Sequence, residues 1–274
     1  MSRPPPAELP AASNAGVQSV DRAVSVLEIL ARRGAAGVSE VALEIGVHKS
    51  TAFRLLGALE DRGLVRQASE RGKYQLGYAI LRLADAVPGR GELVIEARSV
   101  LAELAGSLGE TVSLAVISSH FVVNLDQACG PAVVAAQHRV GQLCPLHATA
   151  SGKVLLAERS PAQRRLLLDA AGLARFTAGT VTGRRLLQRQ LDDVARQGYA
   201  TSFEEYEAGL NTAAAPVRDH TGAVVAAISV SGPAYRLGEV RLHGLLAALI
   251  AGTDRISERL GYLARLPAAG AGGG

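Results

Sequence analysis

Cys144 and His147 are spaced so that a thiol and an imidazole could share a metal ion or form a catalytic pair. A structural zinc site needs about four protein ligands, and the sequence offers no second cluster of Cys and His residues to complete one. A catalytic thiol also needs an oriented partner and an oxyanion site, which a sequence alone does not show. We therefore predict no catalytic residue, no metal ion and no cofactor, and we expect that the chain is not an enzyme.

Two other motifs contain the residue types of an active site. Glu204, Glu205 and Glu207 have the carboxylates of a general acid and base, but we interpret this acidic run as a solvated loop or a shield over a cavity mouth. Gly152 and Lys153 lack the upstream glycine spacing of a phosphate-binding loop. Neither motif predicts catalysis.

Residues 39–77 instead have the pattern of a winged helix-turn-helix. Ser39 is placed to cap a first helix, Gly46 ends this helix, and a second helix begins near His48. Two short β-rich runs then form a hairpin around residues 69–72, with basic residues at or near its tip.

The second helix of this segment has two different faces. Ser50, Arg54 and Gly57 lie on one side of a helical wheel. The opposite, apolar side consists of Ala52, Leu55, Leu56 and Leu59. A hydroxyl, a guanidinium and a glycine on an open helix face suit the major groove of DNA. A helix-turn-helix also occurs in proteins that never touch DNA, and Ser50 or Thr51 could serve only as a helix cap.

The composition limits the number of domains, the kinds of partner and the compartment of the protein. The chain has 274 residues, of which 48% are hydrophobic and 20% charged, enough for two folded domains. Its net charge of +4 permits an anionic partner. The sequence shows neither a signal peptide nor an apolar stretch long enough to span a bilayer, so we expect no membrane partner. Two cysteines without a disulfide framework favour a reducing compartment, and we predict a cytoplasmic protein.

Helices and β-strands are predicted in an order that separates two domains. A helix over 17–32, capped by Ser19 and packed through Val20, Val24, Leu27 and either Leu30 or Ala31, precedes the helix-turn-helix. Further helices are predicted over 79–87, 92–108, from about Ser151, over 162–171, 183–197 and 237–266. Strands are predicted over 111–118, 121–128, 132–138, 199–202, 210–217 and 223–231.

The domain organisation follows from these elements. We predict a disordered leader over 1–16, a winged helix-turn-helix domain over 17–77, a linker helix and hinge over 78–91, an α/β domain over 92–266 and a flexible tail over 267–274. The hinge is placed at the Pro88-Gly89-Arg90-Gly91 segment.

Three sequence blocks resemble the IclR family of bacterial transcriptional regulators. The first comprises VQSVDRAVSVLEIL, GVHKSTAFRLLGALEDRGLV and GKYQLG, the second is PLHATASGKVLLA, and the third is QGYATSFEEYEAGLNTAAAPVRDHTGAVVAAISVSGP. The resemblance implies an α+β fold: a winged helix-turn-helix joined by a helical linker to a GAF-like α/β domain that binds an effector. It also implies operator DNA, a small-molecule effector and a second copy of the chain as partners, in a homodimer or tetramer. We expect a repressor rather than an activator.

The resemblance places the recognition helix on residues 48–61. The DNA contacts that it implies are Lys49, Ser50, Thr51 and Arg54 in this helix, and Arg66, Arg71 and Lys73 in the wing.

The effector site implied by the resemblance is a cup at one end of the sheet. Its matching residues are Ala150, Ser151, Ser202, Leu210, Thr212, Ser229 and Ser231. Hydroxyl groups two residues apart on one strand share a face, and the start of a helix attracts anions, so this set suits a small carboxylate or hydroxylated metabolite. Some relatives carry an acid at the position of Ser202 and a thiol at that of Thr212, so this chain's effector is expected to differ from theirs.

A second hypothesis stays open at this point. The protein could be a small-molecule sensor or metabolic enzyme whose winged helix mediates only protein contacts. The features that distinguish the two are the solvent-facing Ser50, Arg54 and Gly57 together with the basic wing.

Overall fold

A computed structural model describes residues 17–68, 72–86, 90–131 and 139–263. The chain divides into two compact units between Gly91 and Glu92. In the described residues, no helix combines the length and the apolar character needed to cross a membrane.

The first unit is a small helical domain with a three-stranded sheet. Its elements are α1 (Gln18–Arg33), β1 (Ala36–Gly37), α2 (Val38–Glu44), α3 (Lys49–Asp61), β2 (Val65–Gln67), β3 (Lys73–Leu76) and α4 (Ala79–Asp85). The strands pair antiparallel in the order β1-β3-β2, and β1 was not predicted from the sequence. The predicted helix, turn, helix and hairpin are all present.

Two sequence-based details of α1 are wrong. Helix α1 is capped by Val17 without a side-chain hydrogen bond, so Ser19 is not the cap. Its buried residues are Val26, Ile29 and Leu30, whereas Val20 and Val24 are about half exposed within this unit. The core-facing stripe is therefore rotated around the helix from the predicted one.

The start of α2 also differs from the prediction. Gly37 occupies the cap position, and its N–H donates to Glu40 Oε2 at 2.7 Å, so Ser39 lies inside the first turn. The Glu40 carboxylate thus satisfies the N–H of the cap residue, whereas a capping Ser39 hydroxyl would have accepted from an N–H further into the helix. Gly46 follows this helix with φ 66°, the left-handed conformation expected at a helix end.

The second unit is an α/β domain around one antiparallel sheet. Its elements are α5 (Arg90–Leu108), β4 (Thr111–Ser118), β5 (Phe121–Ala128), β6 (Leu143–Pro145), α6 (Ala150–Ala157), α7 (Pro161–Ala171), α8 (Arg184–Gln197), β7 (Ala200–Phe203), β8 (Leu210–Arg218), β9 (Val224–Pro233) and α9 (Glu239–Arg259). The strand order is β6-β5-β4-β9-β8-β7. The predicted α+β fold class is confirmed.

Several predicted boundaries need correction in this unit. Helix α5 already includes Gly91, so this end of the predicted hinge is helical, and residues 87–89 lie outside the described residues. Strand β6 was not predicted, and the predicted strand over 132–138 lies outside the described residues. Helix α9 ends at Arg259 instead of continuing to residue 266, because Gly261 adopts φ 83°.

Two apolar layers cover the sheet. Helices α5 and α9 pack on one face, and α6, α7 and α8 pack on the other. Strands β8 and β9 are rich in small residues, such as Ala213, Ala214 and Ala227, because both of their faces are covered. Gly152 lets α6 lie directly on the preceding segment, since a Cβ there would stand 2.1 Å from the carbonyl oxygen of Leu146.

Candidate functional sites

The predicted recognition helix has one buried and one exposed face. Ala52 and Leu56 are fully buried in the core of the first unit, and Leu59 is nearly so. Lys49, Ser50 and Arg54 are exposed, and Thr51 is half-buried. The apolar stripe therefore fixes α3 to its unit, and the polar side chains remain accessible to a partner.

His48, rather than Ser50 or Thr51, caps this helix. Its Nδ1 accepts a hydrogen bond from the Ser50 backbone N–H at 3.4 Å and lies 2.9 Å from Ser50 Oγ. The hydroxyls of Ser50 and Thr51 are thus not needed as caps.

Phe53 is an exposed residue of this helix that sequence reasoning missed. Its side chain is 59% exposed, although an aromatic ring is normally among the most buried groups of a small domain. On a helical wheel it lies about 60° from Ser50, on the same side as Arg54, so the signal was available. An exposed aromatic edge can make apolar contact with a thymine methyl group.

The wing adds basic groups. Arg66 is exposed on β2, and its guanidinium carbon lies 5.2 Å from the centre of the Tyr78 ring. Lys73 begins β3, while the predicted contact Arg71 lies outside the described residues. Arg62 and Arg82, which were not predicted, line one shallow depression together with Arg66. This cluster can bind phosphate oxygens.

The second unit contains a cavity on the α6 side of its sheet. The cavity encloses about 560 Å³ of space outside protein atoms, its open mouth included. Its described lining residues are Ser113, Val122, Asn124, Arg139, Cys144, Ala148, Thr149, Ser151, Ser202, Tyr206, Glu207, Leu210, Thr212, Ser229 and Ser231. Polar groups that converge on a concave site beside apolar side chains suit a small organic molecule.

Six of the seven predicted effector residues line this cavity. They are Ser151, Ser202, Leu210, Thr212, Ser229 and Ser231. The seventh, Ala150, is fully buried among apolar residues of α6 and the sheet, and it does not line the cavity. Sheet register explains the grouping, because Ser229 lies opposite Ser113 on β4, and Ser231 lies opposite Thr212 on β8.

Most of these hydroxyl groups are available to a ligand. Ser202 Oγ donates to the carbonyl oxygen of Ala148 at 3.0 Å. Within the described residues, the hydroxyls of Ser113, Ser151, Thr212, Ser229 and Ser231 make no hydrogen bond. Ser151 and Ser229 are also more than nine-tenths buried, so a ligand would satisfy groups that water reaches poorly.

Arg139 and Glu207 are the charged residues among the described lining residues. Arg139 Nη2 lies 2.6 Å from Glu207 Oε2, and both side chains are about one-fifth exposed. Sequence reasoning missed Arg139 because it is a single basic residue after a predicted strand, and no local pattern marks it as part of a cavity. It assigned Glu207 only to an acidic run.

The interpretation of that acidic run as solvated is wrong for Glu205. Its carboxylate is buried and forms an ion pair with the fully buried ammonium of Lys153. Glu204 Oε2 accepts a hydrogen bond from the Gly209 N–H at 2.6 Å and so closes the loop. The loop over 204–209 is therefore tied to α6 through Glu205 and to the cavity through Glu207.

Cys144 and His147 do not act together. Cys144 lines the cavity, and burial raises the pKa of its thiol to about 11. His147 Nε2 instead contacts the carbonyl oxygen of Ala174 at 2.9 Å, and burial lowers the pKa of this imidazole. Across the described residues, no group of three His, Cys, Asp or Glu side chains could hold a metal ion.

The two cysteines should therefore label at very different rates. A thiol with a pKa of about 11 is about two hundredfold less ionised at pH 8 than an ordinary cysteine, and only the thiolate reacts quickly. Maleimide should modify the exposed Cys129 first, as read by peptide mass spectrometry. Raising the pH from 8 to 9 should speed labelling of Cys144 about tenfold, because its pKa lies above both values. Equal rates at both cysteines would contradict this assignment.

The chain is similar to known proteins over both units. A family model described as "IclR helix-turn-helix domain" matches residues 19–69, and one described as "Bacterial transcriptional regulator IclR C-terminal" matches residues 86–258. The regulator XynR of Escherichia coli K12 is 32% identical over 247 residues, which cover 90% of this chain and 98% of XynR. The repressor AllR of Klebsiella pneumoniae is 34% identical over 223 residues, covering 81% and 82% of the two chains.

A solved structure adds a ligand to the comparison. The structure of an IclR homologue from Microbacterium hydrocarbonoxydans, complexed with 4-hydroxybenzoate, matches with a TM-score of 0.71. It is 28% identical and covers 88% of this chain and 98% of its own.

Proposed function

Because the chain belongs to the IclR family of bacterial transcriptional regulators, we propose that it is a cytoplasmic repressor whose second unit binds a small hydroxylated carboxylate. Membership of this family makes the chain a DNA-binding transcriptional regulator and not an enzyme. The alternative of a metabolic enzyme with a protein-binding winged helix is not favoured. We propose in addition which residues contact DNA and which class of ligand the second unit binds.

The DNA side of the proposal rests on α3. Its Lys49, Ser50 and Arg54 are exposed along one face, and Thr51 lies beside them. We assign base contacts to Arg54 and Ser50 and add Phe53 as a contact to thymine. Arg66, Arg71 and Lys73 are assigned to phosphate contacts, which increase affinity without reading sequence.

The ligand side rests on one observation: the walls of the cavity carry five hydroxyls without a partner in the described chain. The first residues of α6 lie at this cavity, and the positive end of a helix favours an anion. Hydroxyl groups around a site for negative charge suit an acid that bears hydroxyls. The similar structure was solved with 4-hydroxybenzoate, a molecule of this class.

The assembly and the domain roles follow from these assignments. Winged helix-turn-helix proteins commonly read two half-sites as a dimer, so we propose a homodimer, alone or within a tetramer. Residues 17–77 serve as the DNA-binding domain and 92–266 as the effector-binding domain. The similarity of this chain to the repressor AllR supports the role of a repressor. We propose that the ligand releases this repressor from the operator.

This proposal is tested with the full chain and DNA from upstream of its own gene. Hydroxylated aromatic and aliphatic acids are screened for thermal stabilisation, and each hit is added to a gel shift. We expect at least one acid to stabilise the protein and to weaken the DNA complex. If no acid of the panel stabilises the wild-type protein, the ligand class proposed here is wrong.

Replacing one wall hydroxyl should weaken this ligand. Ser229→Ala is expected to lower the affinity for the stabilising acid about fivefold, because a hydrogen bond contributes about 1 kcal/mol. Calorimetric titration measures the change. Ser118→Ala, at the exposed end of β4, is the matched control and should bind like wild type. Equal affinities in Ser229→Ala and wild type would place the ligand elsewhere.

A further inference from the structure

We propose that Arg139 receives the carboxylate of the ligand and that Glu207 competes with the ligand for this guanidinium. The inference rests on the proposed function and names the residue that recognises the charge. Neither residue belongs to the set that the family resemblance implies.

The two side chains already have the contact that such recognition needs. Their N–O separation of 2.6 Å is that of a strong charge-assisted hydrogen bond. Both residues line the cavity, so their ion pair lies at the wall of the space that a ligand would occupy. The Glu207 carboxylate thus shows that Arg139 can hold a carboxylate at this place in the cavity.

Of the two, Arg139 is the residue with the better-anchored backbone. Its N–H donates to Gln127 Oε1 at 2.9 Å, and its carbonyl oxygen accepts from Asn124 Nδ2 at 3.4 Å. Glu207 instead lies on the short loop that connects β7 with β8. The ligand should therefore displace the acid and leave the guanidinium in place.

The exchange keeps the charges of the cavity balanced. Removing a partner from a buried ion pair is costly because it leaves one charge uncompensated. A ligand carboxylate replaces the Glu207 carboxylate, so Arg139 remains paired throughout. Glu207 is about one-fifth exposed, and a rotation of its side chain would take its charge into water without moving the anchored loop.

The sign of the ligand charge follows from the rest of the wall. A cation would have to pair with Glu207 and expel the anchored arginine. The N-terminal residues of α6 and the available hydroxyl donors stabilise negative charge instead. We therefore assign an anionic ligand that places one carboxylate against Arg139.

The first experiment uses acetate as the probe. Glu207→Ala in the full chain leaves a gap beside Arg139 that has the size of a carboxylate. Acetate, compared with chloride at equal ionic strength, should raise the melting temperature of Glu207→Ala by several degrees more than that of wild type. The effect should disappear in the double variant Glu207→Ala/Arg139→Gln. Equal responses of the three proteins would overturn the inference.

The second experiment compares 4-hydroxybenzoate with 4-hydroxybenzamide, which lacks the charge. Glu207→Gln should bind the acid at least tenfold more tightly than wild type, and Arg139→Gln at least tenfold more weakly. The amide should distinguish none of the proteins. Glu158→Gln is the matched control, because Glu158 pairs with Arg218 at similar exposure but does not line the cavity.

The outcomes separate this inference from the proposed function. An acid that binds wild type, Glu207→Gln and Arg139→Gln equally would overturn the inference and leave the proposed function intact. Tighter binding of a cation in wild type than in Glu207→Gln would overturn it by reversing the charge. The proposed function fails if no acid of the panel stabilises the wild-type protein. The acetate test of Glu207→Ala is independent of that result, because it does not require the natural ligand to be known.

Discussion

Arg54→Ala is expected to reduce operator affinity about tenfold to a hundredfold. An arginine that contacts a guanine edge contributes about 1–3 kcal/mol of discrimination, and Arg54 is exposed on the face of α3 that points away from the core. A gel shift with DNA from upstream of the gene measures the loss. The variant should also lose preference for this DNA over an unrelated duplex, because base contacts carry the sequence information.

Arg189→Ala provides the control for this experiment. It removes the same positive charge from an exposed position on α8 of the second unit, and it should bind DNA like wild type. Arg66→Ala is expected to differ from both, with weaker binding to every sequence and a smaller dependence on salt. If Arg54→Ala and Arg189→Ala bound the operator equally, α3 would not be the recognition helix.

Sequence reasoning worked well where the pattern was local. The apolar spacing of Ala52, Leu56 and Leu59 placed α3 within one residue of its observed start. It failed on α1, since Val20 and Val24 have the same spacing and are nevertheless exposed. Periodicity identifies an amphipathic helix but not which of two apolar stripes the core covers.

The cavity was predicted in part. Alternation along β9 put Ser229 and Ser231 on one face, as the sheet requires. Ala150 was wrongly predicted to line the cavity. The next residue, Ser151, lines it, whereas the turn of α6 directs Ala150 into the apolar core. Ser113 and Arg139 were missed because their position depends on pairing between distant strands, which single-sequence patterns do not encode.

The charged groups of the 204–209 loop were the hardest to predict. A run of glutamates normally faces water, and a lysine is almost never fully buried, so no local pattern predicted the burial of Lys153. The ion pair between Lys153 and Glu205 forms across about fifty residues, from a helix to a loop. Burial lowers the pKa of Lys153 and raises that of Glu205, so desolvation acts against both charged forms.

Lys153→Met is expected to have the largest effect on stability. Methionine keeps most of the apolar stem, but the Glu205 carboxylate loses its ammonium partner, and its Oε2 already lacks a hydrogen bond in the described structure. Breaking a buried pair in this way costs about 3–5 kcal/mol. This corresponds to a fall of about 10 °C in the melting temperature of a domain of this size. Circular dichroism is the suitable readout, because the chain has no tryptophan.

The double variant Lys153→Met/Glu205→Gln distinguishes charge from packing. Removing both charges should restore most of the lost stability, because the cost arises from the unpaired carboxylate rather than from the pair itself. Equal losses in the single and double variants would show that the stem of Lys153 matters and the pairing does not. The double variant can then be used to test ligand binding, because the Lys153–Glu205 pair ties α6 to the loop that carries Glu207. If the loop must hold Glu207 against Arg139, the double variant should bind 4-hydroxybenzoate more tightly than wild type even though its fold is restored.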